Sequence, residues 1–236
     1  MKKLSFLGVT FFCMSCFAQD VINDKNAQVR PVVNFNAIKV SGGIEVYLSE
    51  GSTEALAVSA SESKVRDKIR TEVVDGTLRI WYDAGMLLWN TGNKKMRAYV
   101  SYKMLTRLEA TGASGFRISG TLKVPTLELR LSGASNIKGN VKISNLYVEI
   151  RGASDVKVDG IVGTLKIEAS GASDVKSYDL VADDCTASVS GASDVRVTIN
   201  RELNVTASGA SSVYYKGNAV VKSIHTSGAS SVSRRS

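Results

Sequence analysis

Leu165-Lys166-Ile167-Glu168-Ala169-Ser170-Gly171-Ala172-Ser173-Asp174-Val175-Lys176 is the stretch that decides how this chain folds. Up to Ser170 apolar and polar residues alternate with period two, the pattern of a strand with one buried face. Gly-Ala-Ser interrupts it, and a polar residue, a β-branched residue and a second alternating run follow. Leu146-Tyr147-Val148-Glu149-Ile150-Arg151-Gly152-Ala153-Ser154-Asp155-Val156-Lys157 repeats the unit, and so does the run from Leu127 into Gly133. Gly-Ala-Ser occurs seven times, at Gly112, Gly133, Gly152, Gly171, Gly191, Gly209 and Gly228, at spacings of 21, 19, 19, 20, 18 and 19. A period near 20 held over more than half the chain marks a stacked repeat. No run places apolar residues three and four apart, which argues against helix.

Strands of about six residues cannot bury a face alone, but stacked coils share a core. The spacing predicts three inward columns. The first holds Leu127, Leu146, Leu165, Cys185, Leu203 and Ile224; the second holds Leu129, Val148, Ile167, Ala187, Val205 and Thr226. The third, after the glycine turn, holds Ile137, Val156, Val175, Val195, Val213 and Val232. The predicted class is all-β: a parallel β-helix, or β-solenoid, with coils of about 20 residues.

Each coil must turn sharply at Gly-Ala-Ser. Glycine reaches backbone angles closed to other residues, alanine fits inside a tight bend, and serine bonds local backbone groups. A ligand ladder along that corner is the functional alternative. The position after each Gly-Ala-Ser reads Asn136, Asp155, Asp174, Asp194, Ser212, Ser231, and two residues on come Lys138, Lys157, Lys176, Arg196, Tyr214 and Ser233. A row of acids therefore lies beside a row of bases. Either they compensate each other as a solvated surface, or Asp155, Asp174 and Asp194 form a cation site and the bases a polyanion track. The glycine-rich nonapeptide of calcium-binding solenoids is missing.

The chain opens with basic Met1-Lys2-Lys3 and an apolar run from Leu4 to Phe17, too short to span a bilayer, followed by Cys16-Phe17-Ala18. This reads as a secretory signal peptide, residues 1–18, cut after Ala18. Lipidation at Cys16 is the competing reading, which Cys13-Met14-Ser15 fits poorly. Loss of Lys2 and Lys3 lowers the formal charge from +8 to +6, spread without a cluster that resembles a nucleic-acid arm. No later segment has the length and apolarity of a membrane helix. Of three cysteines, two lie in the leader, so Cys185 has no internal disulfide partner and reads as a buried structural thiol. A single histidine, His225, is predicted to face outward and leaves little for a histidine-based triad or a multi-histidine metal site.

Residues 19–31 are a polar lead-in, and residues 32–107 a smaller all-β portion before the solenoid of 108–236. Ala37 to Leu48, with Gly42-Gly43 at its corner, is a degenerate copy of the repeat. Leu56–Ala60 and Arg97–Tyr102 read as strands. Ser63 to Ile69 reads as one or two helical turns capped by Ser61 or Ser63. Asp75-Gly76 joins two alternating runs as a hairpin. Between Tyr82 and Arg97 lies an apolar patch, Met86-Leu87-Leu88-Trp89, bounded by glycines. It is either a contact site for a partner or a cover for one end of the solenoid. Tyr147 and Tyr214, at outward positions, join it as candidate partner contacts.

The Phe35–Leu48 opening with Ser41-Gly42-Gly43, the Asp75-Gly76-Thr77-Leu78-Arg79-Ile80 hairpin and the Ser-Gly-Ala-Ser-Asp-Val units resemble the exported bacterial family called "putative auto-transporter adhesin, head GIN domain". That family is common in Bacteroidetes, and the resemblance runs from about Phe35 to Ser236. Ala134, Ala153 and Ala172 stand where relatives carry Ser-Gly-Ser-Gly-Asp variants. The resemblance implies an adhesive role at the cell surface and supplies no active site.

The expectation is an exported, non-enzymatic envelope or surface protein, located in the periplasm, on the outer membrane or outside the cell. Its partners would be a glycan or an envelope protein, with no nucleic acid and no cofactor. A structural component joining solenoids end to end, as a homo-oligomer, is the alternative. A polysaccharide-active enzyme ranks below both, because the acids form a regular row and the coils lack groove-building insertions.

Overall fold

A computed structural model describes residues 24–83 and 94–236. In chain order the elements are β1 (Gln28–Arg30), β2 (Ala37–Ser41), β3 (Glu45–Glu50), β4 (Ala55–Ser59), α1 (Ser63–Arg66), β5 (Ile69–Val74), β6 (Thr77–Tyr82), β7 (Arg97–Tyr102) and β8 (Arg107–Ala110). Five long strands follow: β9 (Gly115–Leu131), β10 (Asn136–Ile150), β11 (Asp155–Ala169), β12 (Asp174–Val189) and β13 (Asp194–Ala207). The last are β14 (Ser212–Lys216), β15 (Val220–Thr226) and β16 (Ser231–Arg234). Strand covers most of the described chain, and the long strands pair in parallel from one coil to the next. The fold is the β-solenoid that the repeat predicts.

The inward columns form as rows in register. Ile137, Val156, Val175, Val195, Val213 and Val232 pair rung to rung. Leu127, Leu146, Leu165, Cys185 and Leu203 do the same. The last coil departs from the expectation. Val221, rather than Ile224, continues the Leu203 row, and Ile224, rather than Thr226, continues the Val205 row. The register shifts after Leu203, which pairs with Val221 while Asn204 pairs with Ser223, so Lys222 is an extra residue in that rung.

The coils are longer-stranded than a pair of six-residue runs. In β10 the buried positions are Ile137, Val141, Ile143, Leu146, Val148 and Ile150. Alternation breaks between 137 and 141 and again between 143 and 146, which marks two bends. With the Gly-Ala-Ser corner they give three faces per coil. The first precedes the corner (Leu146–Ile150 in β10), the second follows it (Asn136–Lys138), and the third lies beyond the bend (Val141–Ile143).

The corner works differently from the sequence expectation in one respect. The alanines point out and are exposed, while the serines point in: Ser135, Ser154, Ser173, Ser193 and Ser211 are at most 1% exposed. Their hydroxyls donate across the turn, Ser135 Oγ to Ser132 O at 2.7 Å and Ser154 Oγ to Arg151 O at 2.9 Å, so the buried polar groups are satisfied. The glycines stack. Ala172 N donates to Gly152 O, and Ala153 N to Gly133 O, both at 2.7 Å.

The chain enters the stack in its interior. β2 pairs in parallel with both β6 and β8, and β3 with both β7 and β9. The β6/β7 coil therefore lies beneath the β2/β3 coil although it comes later in sequence. Antiparallel β5 and β4 cover β6 and β7, and β1 covers β4. The predicted hairpin is present, with Val74 opposite Thr77 and both Asp75 and Gly76 at positive φ. The short helix is also present, but Glu62 holds its cap position without a side-chain bond, and Ser61 Oγ donates to Lys94 O instead.

Candidate functional site

The first face carries the most varied chemistry outside the core. Leu146 and Val148 point in, so Tyr147 points out and is 44% exposed. Its row runs Arg107, Glu128, Tyr147, Lys166, Thr186, Asn204, Ser223. The adjacent row runs Glu109, Arg130, Glu149, Glu168, Ser188, Thr206, His225, so His225 does face outward. A shallow depression of about 570 Å³ surrounds Tyr147, edged by Arg107, Glu128, Arg130, Lys166 and Glu168. A second, of about 380 Å³, continues from Glu149 and Glu168 to Ser188, Ser190, Thr206 and Ser208. Sharing those two glutamates, they form one trough that crosses the strands along the solenoid axis.

The charged groups in the trough are held by one another. Arg130 contacts Glu128 at 2.5 Å and Glu149 at 3.6 Å, Arg151 contacts Glu149 at 2.6 Å, and Lys166 contacts Glu168 at 2.7 Å. Such exposed pairs add little stability, but they fix donors and acceptors on both sides of the Tyr147 ring. The hydrogen bond and charge of Lys166 hold the Glu168 carboxyl below the usual range. Glu149 and Glu168 sit on adjacent rungs, the nearest approach on this face to the paired acids of a glycosidase. A general acid needs a raised pKa, and Glu168 is shifted the other way.

The second face carries the predicted acid and base rows. Asn136, Asp155, Asp174, Asp194 and Ser212 pair in register. Lys176 lies between two aspartates, 3.1 Å from Asp155 and 2.9 Å from Asp174, and Arg196 lies 3.6 Å from Asp174 and 2.9 Å from Asp194. The hydrogen bonds that Lys176 Nζ donates to Asp174 and Asp155 raise its pKa. The three aspartates therefore face cations, and no group of three acidic, histidine or cysteine residues able to hold a metal ion occurs among the described residues.

Tyr214 is flanked by two guanidinium groups, Arg196 at 5.6 Å and Arg235 at 4.5 Å from its ring centre. Tyr147 and Tyr214 thus lie on different faces. Met86, Leu87, Leu88 and Trp89 lie outside the described residues. Cys185 is buried, and burial pushes its thiol up to about 12, so it stays protonated at neutral pH. One aromatic pair carries no signal in the sequence: Tyr47 and Tyr99 stack at 5.2 Å, and Tyr99 OH donates to Asp24 at 2.9 Å. They are 52 residues apart, and only the out-of-order β3/β7 pairing brings them together.

Among the described residues no helix is long and apolar enough to cross a membrane. Among curated proteins, none matches the chain. Solved structures do. One described as a "putative adhesin" from Bacteroides fragilis has a TM-score of 0.82 at 22% identity, covering 90% of this chain and 98% of that one. A "putative adhesin" from Parabacteroides merdae has a TM-score of 0.66 at 18% identity, covering 89% and 96%. A "putative lipid binding protein" from Parabacteroides distasonis has a TM-score of 0.66 at 21% identity, covering 89% and 98%. These likenesses show the same solenoid fold. The family described as "putative auto-transporter adhesin, head GIN domain" matches residues 34–219, and the chain belongs to it.

Proposed function

We propose that this chain is an exported, non-enzymatic module of the bacterial cell envelope that adheres by holding a glycan in the trough around Tyr147. The leader at residues 1–18 supports export, and the adhesin description of the family and of two structural neighbours supports a surface role. The observation that carries the glycan reading is the exposed Tyr147 ring set among fixed carboxylates and cationic donors in a trough with no enclosed pocket. A sugar ring stacks on an aromatic face while its hydroxyls bond to charged groups at either side. The open ends suit an extended chain.

The test is a glycan array on the full chain, followed by titration of the best binder. Tyr147→Ala is expected to weaken that binder about tenfold or more, the scale of losing a central aromatic contact, without lowering thermal stability. A wild-type chain that retains no glycan above background would overturn the reading.

End-to-end assembly is the second reading. The exposed aliphatic residues Val220 and Ile224 of the last coil, at 60% and 44%, favour it. Solution scattering at rising concentration separates the two.

A further inference from the structure

The base row of the second face is uneven, and its unevenness points to a second binding surface. Lys176 and Arg196 each touch two aspartates. Lys138 and Lys157, lower in the same row and adjacent to each other, form no ion pair among the described residues. Register explains the difference. Asn136, not an acid, stands beside Lys138, and Gly115 lies below Asn136. The carboxylate of Asp155, beside Lys157, is taken by Lys176 from the rung above. Around the bend at Gly139 and Asn140, on the third face, Lys123 and Lys142 pair as neighbours and also lack an acid partner among the described residues. All four lysines are exposed.

The four form a ridge along the edge between the second and third faces. Two files of cations run parallel to the solenoid axis, with successive rungs about 4.8 Å apart. Asp159, which pairs with Asn140 at the bend, shares the coil of Lys157 and sets one carboxylate between the two files, and Asp179 lies in the coil above, where the positive stretch ends. Like charges at rung spacing repel, and an anion lying between them removes that repulsion. The ridge is convex and bounds no pocket, so a single small anion would remain mostly in water. A linear polymer with an anionic group on each residue would instead engage the files at several points.

We infer that Lys123, Lys138, Lys142 and Lys157 bind an acidic polysaccharide, carrying carboxylate or sulfate groups, along this ridge. The surface is separate from the Tyr147 trough, which lies on the first face, and does not depend on the trough's ligand.

The experiment measures retention of the full chain on immobilised polygalacturonate and on heparin, as a function of salt. Wild type is expected to bind at low salt and to elute as ionic strength screens the contacts. The combined Lys123→Gln, Lys138→Gln, Lys142→Gln and Lys157→Gln variant should bind at least roughly tenfold more weakly, with an unchanged melting temperature and circular dichroism spectrum. Tyr147→Ala should bind as wild type does, so failure here is distinguishable from failure of the trough reading. A charge-matched control, Lys25→Gln, Lys64→Gln, Lys68→Gln and Lys103→Gln, should also keep wild-type binding. Equal weakening by both quadruple variants would reduce the effect to net charge and overturn the proposal. So would binding to anionic phosphatidylglycerol vesicles with no binding to either polysaccharide, because the surface would then face lipid.

Discussion

Val175→Asp is expected to leave the chain without cooperative structure at room temperature. Val175 is 2% exposed and lies in the row of Val156 and Val195, with aliphatic neighbours on the rungs above and below. A carboxylate there would meet no cation and no ordered donor. Burying it unpaired costs several kcal/mol, against a total stability on the order of 5–15 kcal/mol for a native domain. The neighbouring Asp174→Val is the control. Asp174 faces solvent with Lys176 and Arg196, and losing such exposed pairs should cost about 1 kcal/mol or less. Urea unfolding followed by circular dichroism checks both. A Val175→Asp protein with a wild-type midpoint would show that the alternation had been assigned to the wrong faces.

Gly171→Ala is expected to destabilise the chain strongly, although it adds a single methyl group at an exposed corner. Gly171 has a φ of +87°, which alanine adopts only with strain. A Cβ there would lie 2.6 Å from Gly152 O and 2.9 Å from Gly152 N. These are backbone atoms, and Gly152 O already accepts from Ala172 N at 2.7 Å, so neither can move without opening the corner ladder. Strain and clash together should cost on the order of 3 kcal/mol, a fall of about 6–12 °C in Tm for a chain of this size. Ala172→Gly, one residue on at an exposed site, should change Tm far less. A Gly171→Ala variant melting within 2 °C of wild type would contradict the stacked-corner geometry, since 1 kcal/mol alone shifts Tm by about 2–4 °C.

Why the central coils could be read from the sequence is physical. Their spacing is nearly constant, and period-two alternation around a fixed Gly-Ala-Ser assigns each side chain to one face. Val156, Val175 and Val195 therefore fall in one row on the sequence pattern alone. The Asp75-Gly76 turn was legible for the same reason, because the pairing it specifies is local. The order of the first coils was not. Alternation says that Ile38, Leu78 and Leu108 are buried, but not that β2 lies between β6 and β8, since that choice depends on long-range packing. The last coil slipped because Gly209 and Gly228 are 19 residues apart while Gly191 and Gly209 are 18 apart. The extra residue, Lys222, bulges, so Ile224 pairs with Val205 rather than with Thr206. Composition cannot say which of two small residues turns inward at the corner: the alanine that the sequence puts inside the bend is exposed, and the serine is the buried one.

For the candidate site, alternation put Tyr147 outward, but the trough depends on side chains contributed by several coils. The unpaired state of Lys138 and Lys157 is likewise invisible until the register shows that Asp155 is engaged from the rung above. Tyr47 and Tyr99 needed the out-of-order stacking of β7 under β3.

Rows of the trough and the lysine ridge exist only because residues one repeat apart lie on neighbouring rungs. Nitroxide labels on cysteines placed at Lys138 and Lys157, which pair directly, test this in solution; buried Cys185 is shielded from the reagent. Backbones about 4.8 Å apart predict a strongly exchange-broadened spectrum for the doubly labelled chain and ordinary spectra for each single label. A double label whose spectrum equals the sum of the two singles would contradict the stacking on which the whole account rests.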